Sequence, residues 1–169
     1  MSNYSLMNIT EYHELDGQAV YLLMINVENI PPHLGLIYKG RYFSKSSLGG
    51  KFDQDAQLTL KSLIRKKIPS ILVRLNMNIV DPKAFFNKIP LRSGESCLSP
   101  IKNLISENFS EVSSSKYVFD ILEVLIASNK LSTVEHICCD KLISEGHITL
   151  NKYDQEDIDK AILNTKMLC

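Results

Sequence analysis

The stretch His33-Leu-Gly-Leu-Ile-Tyr-Lys-Gly-Arg-Tyr-Phe-Ser44 decides how this chain is predicted to fold. Two runs rich in apolar and aromatic residues, 33–38 and 41–44, flank Lys39-Gly40, which is the pattern of a β-hairpin with a two-residue turn. Pro31-Pro32 precedes the first run and forces an extended entry into it. The sequence therefore predicts two adjacent antiparallel strands, and the first of them opens with a histidine.

The segments on either side of this hairpin predict two more strands and a helix. Residues 19–27 are nearly all apolar, as expected of a central strand buried on both faces, and residues 70–75 have a similar character. Residues 46–51 predict a loop. Residues 54–66 carry apolar side chains at helical spacing with polar residues between them. We therefore predict an antiparallel sheet of about four strands, packed by helices.

The rest of the chain is predicted to be mostly helical. The predicted elements are a helix capped by Asp81, a loop at 90–96, an amphipathic helix over 97–109, helices over 117–126 and 131–144, a short strand at 147–150 and a last helix capped by Asp154. Strands that come early and helices that come late indicate the α+β class. We expect one domain over 1–169, with a core at 16–109 and a helical C-terminal extension at 116–169.

Composition limits the classes of function. The 169 residues are 44% hydrophobic and 22% charged, and nineteen basic residues balance nineteen acidic ones. This balance gives no reason to expect nucleic-acid binding, and the basic cluster Lys61, Arg65, Lys66 and Lys67 is more typical of a solvated helix face. Neither a signal peptide nor a membrane span is indicated, so we expect a cytoplasmic protein.

Four cysteines are predicted to be free thiols, because nothing indicates an oxidising compartment: Cys97, Cys138, Cys139 and Cys169. His136, Cys138 and Cys139, with His147 and Cys169, lack the spacing of a zinc site, and packing is the better interpretation. No cofactor is predicted.

Cys97 comes directly before or at the start of the predicted 97–109 helix. A thiol there lies near unpaired N–H groups and the positive end of the helix dipole, which both favour the nucleophilic thiolate. The helix has two candidate starts, Ser96 and Ser99-Pro100, and only the first keeps Cys97 inside the first turn. A small residue packed under the helix start is the alternative interpretation of Cys97.

His33 is the other candidate for chemistry. At the first position of a strand its ring need not be buried, and an imidazole there can act as a general base to a thiol or be an ordinary surface residue.

Residues 16–109 resemble the papain-like cysteine peptidases and amidases of the NlpC type. The resemblance rests on the histidine that opens a strand, the glycine two residues later, and the short turn into an aromatic return strand, His33 to Ser44. Cys97 follows the histidine, whereas the standard order is the reverse. This order is similar to the circularly permuted branch of that superfamily.

The resemblance implies a papain-like core and a thiol hydrolase that cleaves an amide or related acyl bond. Cys97 would be the nucleophile and His33 its base, with Ser44 as the residue that orients the histidine and Tyr42 as a weaker candidate for that role. The partner would then be a peptide- or acyl-type substrate. The alternative is a catalytically inactive domain of the same fold that binds a protein partner.

Overall fold

A computed structural model of the chain describes residues 3–46, 49–88 and 96–167. The strands in these ranges are β1 (Asn3–Met7), β2 (Ile9–Glu11), β3 (Val20–Ile25), β4 (His33–Tyr38), β5 (Arg41–Ser46), β6 (Gly49–Asp55), β7 (Ser70–Leu75), β8 (Leu131–Ile137), β9 (Ile143–Ser144) and β10 (His147–Asn151). The helices are α1 (Ala56–Arg65), α2 (Pro82–Lys88), α3 (Leu98–Ser106), a 3-10 helix (Ser110–Ser114), α4 (Val118–Ala127) and α5 (Gln155–Met167). Cys169, and the predicted 90–96 loop apart from Ser96, lie outside the described residues.

Seven strands form a mixed sheet in the order β2-β8-β7-β3-β4-β5-β6. The β2–β8 pair is parallel, and every other neighbouring pair in this sheet is antiparallel. A second, three-stranded sheet has the order β1-β10-β9. The chain is α+β, but the predicted antiparallel sheet of about four strands is wrong. The four predicted strands are β7, β3, β4 and β5, which lie side by side in the middle of the larger sheet.

The predicted helix over 131–144 is also wrong, and with it the helical C-terminal third. Its first half is β8, an interior strand between β2 and β7. The apolar residues Val134, Ile137 and Leu142 mimic a helical spacing because consecutive residues near the end of β8 are buried on opposite faces of the sheet. The β-branched Thr133, Val134 and Ile137 favour the strand.

The predicted loop over 46–51 is largely a strand. β6 begins at Gly49 and pairs antiparallel with β5 at the edge of the sheet. Most of its residues are exposed or half-buried, so it has no alternation of apolar and polar residues to distinguish it from a loop.

Local signals predicted the β4–β5 turn and the starts of α2 and α5 correctly. Lys39 and Gly40 both have positive φ angles, 47° and 72°, as a tight β4–β5 turn requires. The Asp81 carboxylate accepts the N–H of Lys83 at the start of α2. The Asp154 carboxylate accepts the N–H groups of Glu156 and Asp157 at the start of α5. These bonds satisfy donors that a helix start leaves unpaired.

The larger sheet is covered on both faces. Leu23, Ile37 and Leu72 pack on one face with Ala56, Leu60 and Leu63 of α1. The other face packs against α3, α4 and the small sheet through fully buried side chains that include Leu22, Leu36 and Val73. Alternate residues of a strand point to opposite faces, so each residue of β4 can be assigned to one of the two layers.

None of the helices in the described part of the chain is long and apolar enough to cross a membrane.

Candidate active site

Cys97 is the N-cap residue of α3, which begins between the two starts that the sequence left open. The Ser96 hydroxyl accepts the N–H of Leu98 at 3.3 Å and so stabilises the first turn. Pro100 is the third residue of the helix, where an N–H group would have no partner within the helix in any case. The proline therefore fits α3 without loss of a helical hydrogen bond.

The sulfur of Cys97 lies where the start of α3 meets the start of β4. Its Sγ accepts the backbone N–H of Leu34 at 3.3 Å. The N–H groups of Cys97 itself and of Leu98 also interact favourably with the charged form of the sulfur. Backbone donors from two elements thus lie close to this atom, and N–H groups close to a sulfur favour its thiolate form.

Burial has the larger effect on the protonation of this thiol. Removal from water raises the pKa of Cys97, and the three backbone N–H groups only partly oppose the change. The resting form near neutral pH is therefore the uncharged thiol. The helix start alone predicts the opposite direction of the pKa shift, because burial of the sulfur depends on elements distant in sequence.

His33 is the first residue of β4 and is half-buried. Burial lowers the pKa of its imidazole, and the nearby Lys51 ammonium lowers it further. A neutral imidazole has a free nitrogen lone pair and is able to accept a proton. The resting pair is therefore a neutral thiol and a neutral base.

Cys97 and His33 line the same small cavity, of about 170 Å³. Its other walls are largely apolar and come from the segment that precedes β4 and from α5. They include Pro31, Pro32, Ile158, Ala161 and Ile162. The structure thus brings the two candidates to one cavity, although the hydrogen bonds between described residues include none that joins the Cys97 thiol to the His33 ring.

His33 also borders a second cavity, of about 510 Å³, on the α1 face of the sheet. Leu34 packs with the α3 layer, so strand alternation assigns His33 to the opposite, α1 layer. Tyr42, Lys51 and Ser62 line this second cavity with it. Because His33 lies at the strand end, it is shared by two cavities, whereas Cys97 borders only the smaller one of the two.

Ser44 and Tyr42, the predicted orienting residues, are buried on β5. Burial raises the pKa of the Tyr42 phenol. The hydrogen bond between the Tyr42 and Ser44 side chains lowers this pKa, but it is the smaller effect. The Tyr42 ring lies across Gly35, where an added Cβ would be 2.3 Å from Cε2 of the ring. Gly35 is therefore needed for this packing. The role of Ser44 in orienting His33 stays a prediction.

The sequence did not identify the α5 wall of the small cavity. Helical spacing predicted that Ile158, Ala161 and Ile162 face inward, but not what they cover. Tyr153 anchors the start of α5, since its ring packs at 5.8 Å from that of Tyr117 and at 5.1 Å from that of Phe119. This aromatic cluster is the sequence signal that could have placed α5 at the cavity. It joins residues too far apart in sequence for periodicity to pair them.

The two other cysteines that the structure describes, Cys138 and Cys139, show no metal-ligand arrangement. Cys139 is buried, its thiol donates to the Ser70 carbonyl at 3.4 Å, and burial raises its pKa to about 12. Cys138 is exposed. Within the described ranges, no group of three or more His, Cys, Asp or Glu side chains is arranged to hold a metal ion.

Comparisons of this chain with protein-family models, with curated proteins and with solved structures give no match.

Proposed function

We propose that this protein is a thiol hydrolase that cleaves an amide or related acyl bond with Cys97 as nucleophile and His33 as base. The observation that carries the proposal is the shared cavity, which is lined both by Cys97 at the start of α3 and by His33 at the start of β4. Covalent acyl transfer needs a nucleophile and a base that can both reach one substrate, and a shared cavity supports this.

In the proposed reaction, the Cys97 sulfur attacks the substrate carbonyl while His33 accepts the thiol proton. The oxygen of the tetrahedral intermediate carries the negative charge, and backbone N–H groups at the start of α3 are suited to stabilise it. Collapse of the intermediate breaks the bond to the leaving group, which takes the proton from His33. Water, deprotonated by His33, then hydrolyses the thioester and restores the thiol.

Neutral resting forms are compatible with this scheme. The thiol needs to lose its proton only when a carbonyl is in place, and a neutral His33 is the form that accepts it. A substrate that displaces water from the cavity also strengthens the electrostatic interactions within it.

A catalytically inactive binding domain is the second candidate. It is supported by the raised pKa of Cys97 and by the Leu34 N–H that the sulfur already accepts, because both are compatible with a purely structural thiol. In that case the cavity would accommodate a partner side chain without covalent chemistry.

Steady-state hydrolysis of p-nitrophenyl acetate separates the two candidates. We expect Cys97→Ala to reduce turnover at least about tenfold, since the nucleophile is removed. Cys138→Ala, which removes an exposed thiol, is the matched control and should keep the wild-type rate. Equal turnover by wild type and Cys97→Ala would overturn the hydrolase proposal.

A further inference from the structure

The opposite end of β4 borders a cavity of about 1060 Å³. Tyr38, the last residue of β4, lines it, together with the ends of β3 and β7 and the segments that follow α3 and α4. Tyr38 lies five residues beyond His33, which corresponds to about 17 Å at the usual rise of a strand. This cavity is therefore separate from the one that holds Cys97.

The cavity has an apolar floor and a polar rim. Val20, Leu75, Ile79 and Phe109 are buried below it. Four exposed carboxamides surround it, from Gln18, Asn76, Asn78 and Asn108. These four side chains make no hydrogen bond to any described residue, so their donors and acceptors are available to a ligand. Polar groups therefore dominate the lining, which favours a polar ligand that can form hydrogen bonds with them.

The charged side chains that line this cavity are all positive. Lys39, Arg74 and Lys130 line it, and its lining contains no aspartate or glutamate. The whole chain has equal numbers of basic and acidic residues, so this is a local concentration of positive charge. Arg74 is paired with Asp16 at 2.5 Å, whereas no described carboxylate forms an ion pair with Lys39 or Lys130.

Aromatic rings hold the two unpaired ammonium groups at the cavity. The Lys39 Nζ lies 5.2 Å from the centre of the Tyr38 ring, and the Lys130 Nζ lies 6.0 Å from that of Phe109. A cation–π contact uses the charge but leaves the N–H donors for other acceptors. Lys130 also follows the C-terminal end of α4, where a positive charge is favoured, so its position has a structural cause as well.

We propose that this cavity binds a small phosphorylated, polyhydroxylated molecule of the sugar-phosphate class. Lys39 and Lys130 would take the phosphate, because an ammonium is a point charge suited to phosphate oxygens. The carboxamides of Gln18, Asn76, Asn78 and Asn108 would bind the hydroxyl groups, since each amide both donates and accepts. The apolar floor would pack against the carbon skeleton of the ligand.

Titration of the ¹⁵N-labelled full chain with ribose 5-phosphate, ribose and inorganic phosphate tests this proposal by NMR. We expect saturable shifts around Tyr38 and Asn76 with ribose 5-phosphate, and binding at least about tenfold weaker for ribose or phosphate alone. The double variant Lys39→Gln/Lys130→Gln should lose at least about tenfold in affinity. Lys61→Gln/Lys116→Gln removes the same charge from exposed lysines outside this cavity and should bind as wild type does.

Three results would overturn the proposal. They are the absence of saturable shifts with ribose 5-phosphate, equal affinity for inorganic phosphate, and an equal loss of affinity in the two double variants. Thermal unfolding of both variants checks that they are folded, because replacement of Lys130 also removes a charge at the end of α4.

Discussion

The two ends of β4 differ in the size of their cavities and in charge. At the His33 end the cavity is small, about 170 Å³, its walls are mostly apolar, and burial shifts the pKa values of Cys97 and His33 in the directions that favour their neutral forms. At the Tyr38 end the cavity is about six times larger and has an exposed polar rim with positive charge. One strand thus connects the cavity for which we propose covalent chemistry with the cavity for which we propose ligand binding.

This difference shows that burial determines the protonation state of a group and so the interactions that it can make. Where side chains are buried, removal from water controls protonation, and Cys97 and His33 are both held in their neutral forms. Where they stay exposed, charges persist and recognition relies on hydrogen bonds and long-range attraction. Packing buries the groups at the His33 end of β4, so substitutions that alter this packing should have the largest effects.

Replacement of Ile158 by alanine is expected to have the largest effect. This α5 side chain is 5% exposed and forms a wall of the small cavity. We expect a loss of about 2 kcal/mol or more in the free energy of unfolding, and several-fold faster alkylation of Cys97 by iodoacetamide. Leu163→Ala, on the same helix but 55% exposed, is the matched control. Unchanged alkylation in Ile158→Ala would show that α5 does not shield the thiol.

Replacement of Gly35 by alanine should have the next largest effect. The added methyl group would lie 2.3 Å from the Tyr42 ring inside the α1 layer, so the ring or the strand must move. We expect a loss of about 1–3 kcal/mol in urea denaturation. Gly17→Ala is the control, because nothing lies within 4 Å of its added Cβ. Equal stability of the two variants would contradict the described packing of Tyr42.

The pH dependence of stability should show a smaller effect. Because burial lowers the pKa of His33, the unfolded chain binds a proton at that residue before the folded chain does, as the pH falls below about 6.5. The folded state therefore loses stability between that pH and the lower folded pKa. His33→Gln should lose less stability on acidification than His13→Gln, which removes an exposed histidine. Urea denaturation at pH 7 and pH 5 provides the measurement, and the reverse order would contradict the assigned direction.

Sequence patterns identified the centre of the larger sheet but not its edges. Strands β3, β4, β5 and β7 carry strong apolar runs or a defined turn, and the carboxylate caps Asp81 and Asp154 mark two helix starts. β6 is an exposed edge strand, and β1 and β2 are short with many polar residues, so their pairing depends on neighbours distant in sequence. β8 was mistaken for a helix because burial on both faces hides the two-residue period of a strand.

The candidate site was predicted in part. The sequence suggested Cys97 and His33 as a pair and both line one cavity, while their catalytic roles stay a prediction. It could not predict the direction of the thiol pKa shift, because that depends on how the surrounding elements enclose the sulfur. The α5 wall and the Leu34 N–H contact required the three-dimensional arrangement, since both join residues more than 60 positions apart.

The most direct test of the Cys97–His33 pair is the rate at which p-nitrophenyl acetate acylates Cys97, followed by intact-protein and peptide mass spectrometry. Exposed Cys138 provides an internal reference in the same sample. The proposed pair predicts that His33→Ala slows acylation of Cys97 about a hundredfold and leaves Cys138 unchanged, because loss of a positioned base removes that order of rate enhancement. Equal acylation of Cys97 in wild type and His33→Ala would contradict it.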